Sequence, residues 1–147
     1  PGQQLYRIVP KAILSLKLKR KLFLDGGGKS KRSFIYISDV ANATYALCFK
    51  STNGEIYHIS TNQLVSIKEL VKMIFKIKNK STNEIVKISS ERVGKDSLYS
   101  LSSKKIRKEI NWKPEVSLIN GLIKTIQWAE SNIKILKNKP DTYKHKK

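Results

Sequence analysis

Apolar positions along this chain change period several times, from a helical spacing to short continuous runs and back. Between residues 5 and 18, Ile8, Val9, Ala12, Ile13 and Leu16 recur at helical spacing. Pro10 falls near the start of that stretch, where proline is tolerated. Leu22-Phe23-Leu24 makes a short strand-like run that Asp25-Gly26-Gly27-Gly28 ends, and Phe34-Ile35-Tyr36-Ile37 is a second apolar run. Ser38-Asp39 then opens a helix with Asp39 as the expected N-cap and Val40, Ala43 and Leu47 on one face. Asn53-Gly54 is a turn. Glu55 to Ile59 reads as a strand with little alternation, the pattern of a sheet covered on both faces.

Ser66-Ile67-Lys68-Glu69 has the capping-box pattern, Ser at the cap and Glu three residues on. Ile67, Leu70, Val71, Ile74 and Phe75 form the buried face of the helix it starts. Glu84 to Ile88 alternates and reads as a strand. Ser103 starts a short helix carrying Ile106 and Ile110, which stops at Asn111-Trp112-Lys113-Pro114. Ser117 caps a last helix with the stripe Leu118, Leu122, Ile126, Ala129, Ile133 and Leu136. Strands alternate with helices throughout, so the class is α/β. No internal repeat and no dividing linker is visible.

Composition narrows the function. The 147 residues suit one domain or part of a larger one, with 39% hydrophobic and 28% charged residues, a globular and not a disordered balance. No apolar run approaches the roughly 20 residues that span a bilayer. No signal peptide is visible at Pro1-Gly2-Gln3-Gln4, and a cytoplasmic location is expected. The chain begins with proline and its only methionine is Met73, so it is read as having had a native start removed or as a fragment of a longer protein. The formal net charge is +19, an attraction for anions. The basic residues are 25 Lys against 5 Arg and are spread over every segment, so nucleic acid is an unlikely partner and anionic small ligands are favoured. Residues 138–147 form a basic tail expected to fray.

Two segments could hold an anion. Gly26-Gly27-Gly28 lets the backbone turn tightly, and Lys29, Lys31 and Arg32 follow it with charge for phosphate oxygens. The spacing is not that of a dinucleotide fingerprint. Arg92-Val93-Gly94-Lys95-Asp96 places a basic pair around a glycine just after a strand, and Arg7 at the start of the first helix could lend a third cation. His58 and His145 are distant and lack clustered acids, so no metal site is expected, and His58 is read as a core or pocket-wall residue. The lone Cys48 excludes an internal disulfide and is placed near the buried face beside Leu47. Tyr143 and Lys147 have the Tyr-x-x-x-Lys spacing of some reductases, but in a lysine-rich tail the match is read as accidental.

Taken together these segments resemble the C-terminal part of the NAD-dependent epimerase/dehydratase family, the extended short-chain dehydrogenases that act on sugar nucleotides. The likeness runs from Pro1 to about Asn132. Arg7-Ile8-Val9-Pro10 is similar to the family's Lys-Leu-Ile-Pro stretch, and GGGKSKRSFIYISDV, Gly26 to Val40, to its glycine loop, Arg, aromatic strand and Asp-Val helix start. Gly54 to Ile59 resembles Gly-Glu-x-Tyr-Asn-Ile, and Arg92 to Asp96 resembles Arg-Pro-Gly-His-Asp. Glu109 to Pro114, then Gly121-Leu122 and Thr125 to Trp128, resemble the closing Glu-Leu-Gly-Trp-x-Pro, Gly-Leu and Thr-x-x-Trp signature.

The resemblance implies the C-terminal part of an extended Rossmann-type enzyme, residues 1–137 being its substrate-binding region, without the N-terminal NAD-binding βαβ units. It implies NAD as cofactor of the full-length enzyme, a nucleotide-sugar substrate and a homodimer. Within the family the nucleotide-sugar 4,6-dehydratases look nearest, while the 4-epimerases and UDP-glucuronate decarboxylases share nearly all these segments. The implied reaction is hydride removal from the sugar C4 to NAD, water loss across C5 and C6, and hydride return to C6. Arg32 and Arg92 would grip the diphosphate, Arg7 and Ile8 would lie near the nucleotide, Ser66 would meet it with a polar side chain, and Tyr99 falls where the family has a nearby tyrosine. His58 and Lys95 depart from the family's Asn and His. No catalytic residue is assignable, and this chain alone is expected to be inactive. The readings of another class are a basic nucleic-acid-binding module or an inactive scaffold.

Overall fold

The computed structural model describes residues 1–91, 93–94 and 96–143. In chain order the elements are α1 (Ile8–Lys17), β1 (Leu22–Asp25), β2 (Lys31–Ser33), α2 (Ile37–Lys50), β3 (Leu64–Ser66) and α3 (Ile67–Ile77). There follow β4 (Val86–Ser89), β5 (Leu98–Tyr99), α4 (Lys104–Ile110), α5 (Leu118–Ser131) and α6 (Ile133–Leu136). The strands form two small sheets. β1 and β4 pair in parallel, Leu22 opposite Val86 and Leu24 opposite Ile88. The second sheet has the order β3-β2-β5, antiparallel between β2 and β3 and parallel between β2 and β5.

The main core lies where α1, α3 and α5 meet β1. Ala12, Ile13, Leu22, Leu70, Val71, Ile74 and Phe75 are all at most 1% exposed there, and each large side chain among them contributes about 1.5–3 kcal/mol by leaving water. α3 is built as its pattern predicts. The Ser66 side chain accepts the Glu69 N–H at 3.1 Å while Glu69 Oε2 accepts the Ser66 N–H at 2.9 Å, satisfying two otherwise orphaned donors. Ser117 likewise accepts the Asn120 N–H at 3.2 Å at the start of α5. The stripe from Leu118 to Leu136 packs inward, although the helix breaks at Asn132. Around this frame Glu130 takes ion pairs from Lys17 and, at 2.8 Å, from Lys78, tying α5 to α1 and to the end of α3. A smaller core joins Ala43 of α2 to Ile106, Ile110 and Trp112.

Several expectations shift. α2 begins two residues before Asp39, with Tyr36 at its N-cap position. Asp39 is 2% exposed and its Oδ2 accepts the Val116 N–H at 3.0 Å, so a residue read as a local cap is a buried tie between α2 and the segment leading into α5. The run Phe34 to Tyr36 is not a strand, and the strand lies just before it at Lys31–Ser33. Glu55 to Ile59 has strand composition but forms none, because no described strand lies beside it to accept its ladder bonds. Its contacts run to α4 instead, with Tyr57 donating to Glu109 Oε2 at 2.7 Å and Lys105 paired with Glu55. Ile56 is 75% exposed, and nearby in sequence Tyr45 and Phe49 make a tilted ring pair on an open face of α2. Cys48 and His58, both expected inside, are exposed.

Candidate functional site

The glycine turn positions the first anion-binding segment. Gly26, Gly27 and Gly28 have φ of 59°, 67° and 70°, three successive left-handed residues that glycine takes at no steric cost. Gly28 is also pressed against the first turn of α3, where a Cβ would lie 3.0 Å from the Lys68 backbone nitrogen. The turn delivers the chain directly into β2, whose middle residue is Arg32. Lys31 on β2 and Lys29 before it are exposed.

Arg32 is half-buried, and its guanidinium is fixed by two main-chain carbonyls. Nη1 donates to Lys31 O at 2.7 Å and Nη2 to Asp96 O at 2.8 Å. A guanidinium has five N–H donors in a rigid fork, so three stay available to a ligand beyond these two bonds. The second bond comes from the other sequence motif, since Asp96 closes the Arg92 to Asp96 segment, and the Lys31 N–H also donates to Ser97 O at 2.8 Å. Two segments about 64 residues apart are thus joined at Arg32. A further approach joins them at the turn, where an added Gly26 Cβ would fall 1.6 Å from Glu91 Oε2. Arg92 itself, like Lys95, lies outside the described residues.

The remaining expected residues fall at different distances from this centre. Tyr99 is paired directly with Arg32 across β2 and β5, and its side chain is 55% exposed. Ser66 lies opposite Lys31 on β3. Successive side chains of a strand alternate between faces, so Tyr99 shares the Arg32 face while Ser66 falls on the face of Lys31. The Ser66 hydroxyl is engaged by Glu69, donating to Oε2 at 2.7 Å. That pair holds the Glu69 carboxyl below the usual carboxylate range through the Ser66 side-chain bond, then the Ser66 backbone bond, with lesser help from Lys31 and Lys72. Arg7 is at the N-cap position of α1, exposed, its guanidinium 5.3 Å from the centre of the Tyr6 ring. Ile8 is the half-buried first residue of α1 and packs on the main core. No described contact joins Arg7 or Ile8 to Arg32.

Reading the sequence missed the aromatic cleft beside this sheet. It encloses about 420 Å³ and is lined by Gln3, Pro10, Phe34, Tyr36, Gly121 and Trp128 among others. Its residues come from the Pro1 to Pro10 segment, the Phe34 to Val40 run and α5, so the run that is not a strand serves as a cleft wall. Gly121 is buried against Tyr36, where a Cβ would touch the ring at 3.3 Å. The signal in the sequence was the aromatic character of residues 34–36 without the alternation of a strand. No group of three or more His, Cys, Asp or Glu able to hold a metal exists among the described residues. No helix among the described residues is long and apolar enough to cross a membrane.

Comparison with known proteins agrees with this architecture. The family profile described as GDP-mannose 4,6 dehydratase matches residues 2–125. The mouse protein named dTDP-D-glucose 4,6-dehydratase is 35% identical over 143 residues, covering 94% of this chain and 40% of its own. Among solved structures, the dTDP-glucose 4,6-dehydratase of Streptomyces venezuelae with NAD and TYD bound superposes with a TM-score of 0.86 at 27% identity, covering 91% of this chain and 41% of that one. The enzyme of the same name from Bacillus anthracis, in complex with NAD, gives 0.85 at 26% identity, covering 92% and 42%. The chain spans about 40% of the length of the relatives it matches. On the order of the motifs, the α/β fold and these matches, the chain belongs to the NAD-dependent epimerase/dehydratase family.

Proposed function

We propose that this chain is the substrate-binding portion of a nucleotide-sugar 4,6-dehydratase of the dTDP-glucose type, and that it grips the nucleotide diphosphate. The observation that carries this reading is Arg32. It stands on a short central strand, anchored by Lys31 O and Asp96 O, with donors left over and Lys29 and Lys31 beside it in the chain. Anchoring both ends of the fork to carbonyls holds the plane of the guanidinium in advance, so less side-chain freedom is lost when an anion arrives. A diphosphate carries acceptor oxygens only, and charge-assisted bonds to them are about twice as strong as neutral ones. Arg92, one residue beyond Glu91 in the motif that reaches Arg32, would supply the second cation. Tyr99 shares the Arg32 face and would border the same ligand. Arg7, Ile8 and Ser66 would lie further along the nucleotide, and the full-length enzyme would act as a homodimer.

The reading is supported by two dehydratase structures solved with NAD, one of them also holding TYD, to which this chain is similar. NAD would be the redox cofactor of the whole enzyme, taking and returning hydride. The residues of this chain do not fit it. The triple glycine leads into strand β2, not into a helix whose N-terminus could receive a pyrophosphate in the dinucleotide manner. The contribution of this chain is therefore to bind and orient, and no activity is expected from these 147 residues by themselves.

The test is calorimetric titration of dTDP into the wild-type protein, Arg32→Ala and Arg32→Lys. Loss of two charge-assisted bonds predicts a weakening of roughly 100-fold for Arg32→Ala. Arg32→Lys should fall between, since a point charge replaces the fork. Equal affinity in all three would refute the assignment. A 4-keto-6-deoxy product from the full-length enzyme with NAD would favour dehydration over the 4-epimerase and decarboxylase readings.

A further inference from the structure

A second concavity lies at the C-terminal end of α3, apart from the Arg32 sheet. It measures about 350 Å³ and is lined by Lys72, Lys76, Asn79, Lys80, Ser81 and Thr82 over the buried Phe75. The way α3 ends builds it. The Lys80 N–H donates to Phe75 O and the Asn79 N–H to Lys76 O, each at 3.0 Å, with Asn79 left-handed at φ 50°. This is a Schellman closure, and it turns the chain back so that Lys80, Ser81 and Thr82 meet the face carrying Lys72 and Lys76.

Two features favour an anionic occupant. First, no described ion pair engages any of the three ammonium groups. The described ion pairs engage Lys17, Arg20, Lys78 and Lys105, and Lys78, in the same turn, is claimed by Glu130. Glu69 feels Lys72, but its carboxylate is held by Ser66 at the far end of the helix. Attraction of cations to the helix end explains a lysine in the last turn, such as Lys76. It does not explain Lys80 beyond the helix, while Lys72 lies one helical step from Glu69. Second, six of the seven lining residues are polar or basic and none is acidic. Lysine, asparagine, serine and threonine residues line the space, while Phe75 O and Lys76 O, helix-end carbonyls that would repel an anion, accept the Schellman bonds.

We propose that this concavity binds the phosphoryl or pyrophosphoryl group of a small metabolite, at a site separate from the one around Arg32. The concavity is shallow and open, so it would hold an anionic group at the surface with the rest of the metabolite in solvent. The test follows backbone amide NMR shifts of the protein during titration with inorganic pyrophosphate, and separately with dTDP, at constant ionic strength held with chloride. Wild type, Arg32→Ala and the triple variant Lys72→Gln/Lys76→Gln/Lys80→Gln are compared. All three replaced lysines are exposed, and a thermal melt checks that the fold persists. A saturable response at residues 79–82 to either anion is expected, unchanged in Arg32→Ala and weakened at least roughly tenfold in the triple variant. The anion giving the tighter response identifies the source as free or nucleoside-borne. No saturable response at these residues, a response that follows Arg32→Ala, or binding of an RNA oligonucleotide without any response to pyrophosphate would each overturn the proposal. Because the Arg32 variant is measured in parallel, failure here leaves the diphosphate reading at Arg32 separately decided.

Discussion

Gly28→Ala strikes the junction between the glycine turn and the first turn of α3. Two costs add. Alanine at φ 70° is left-handed, at about 1–2 kcal/mol. Its methyl group would sit 3.0 Å from the Lys68 backbone nitrogen, 3.3 Å from Leu24 Cδ1 and 3.4 Å from Lys68 Cα. Leu24 is a core residue, and Lys68 N belongs to a capped helix, so neither neighbour yields readily, and such overpacking costs about 1–3 kcal/mol. Alanine also restricts the unfolded chain, which offsets about 0.4–1 kcal/mol. The net expectation is a loss of about 1–4.5 kcal/mol, centred on about 3. Gly27→Ala supplies the control. It has a similar φ of 67°, but the nearest atom to its Cβ, Ile88 Cδ1, is at an ordinary 4.0 Å. That variant should lose only the conformational cost less the same offset, about 1 kcal/mol. Urea unfolding followed by far-UV circular dichroism, with the slope unchanged between variants, reads the difference. A Gly28→Ala protein no less stable than Gly27→Ala would refute the claim that the turn is packed against α3.

The acid limb of stability should depend on Glu130. The Lys17 ammonium first, and Lys78 with it, hold its carboxyl below the ordinary range. Its contribution is therefore present above the unfolded-state pKa and lost as pH falls through the lower folded-state value, so Glu130→Gln should flatten the fall in melting temperature below about pH 5. Parallel curves for the two proteins would count against the ion-pair account. Asp39→Ala leaves the part-buried Val116 N–H without its carboxylate acceptor and should cost about 1.5–3 kcal/mol in the same urea assay. Asp39→Asn keeps an acceptor oxygen and should lose less; an equal loss would mean that charge, not the hydrogen bond, is what matters there.

Local chemistry was legible wherever it is completed within a few residues. The Ser66 and Glu69 pairing closes over one helical turn, and so does the Ser117 cap, which is why both stand where the pattern puts them. The glycine triplet and the basic residues after it were visible for the same reason. Asp39 shows where such reasoning stops. Acid at a helix start reads as a cap, yet its partner lies 77 residues away, and no local pattern encodes that distance. Cys48 beside Leu47 was placed inward by helical periodicity, but which part of a helix face is covered depends on what packs there, and this part is open.

What the chain alone determined is the set of helices, their inner faces and the family to which its ordered motifs belong, because periodicity and turn chemistry are properties of neighbouring residues. Tertiary structure decided the rest. Among the described residues it set no strand beside Glu55 to Ile59, and that segment therefore forms none here, because a strand exists only with a partner to share its backbone bonds. It built a cleft wall from Phe34 to Tyr36 and joined Arg32 to the carbonyl of Asp96, 64 residues on. A cation spread thinly through a basic sequence becomes a distinct anion-binding candidate only when the folded backbone fixes its orientation.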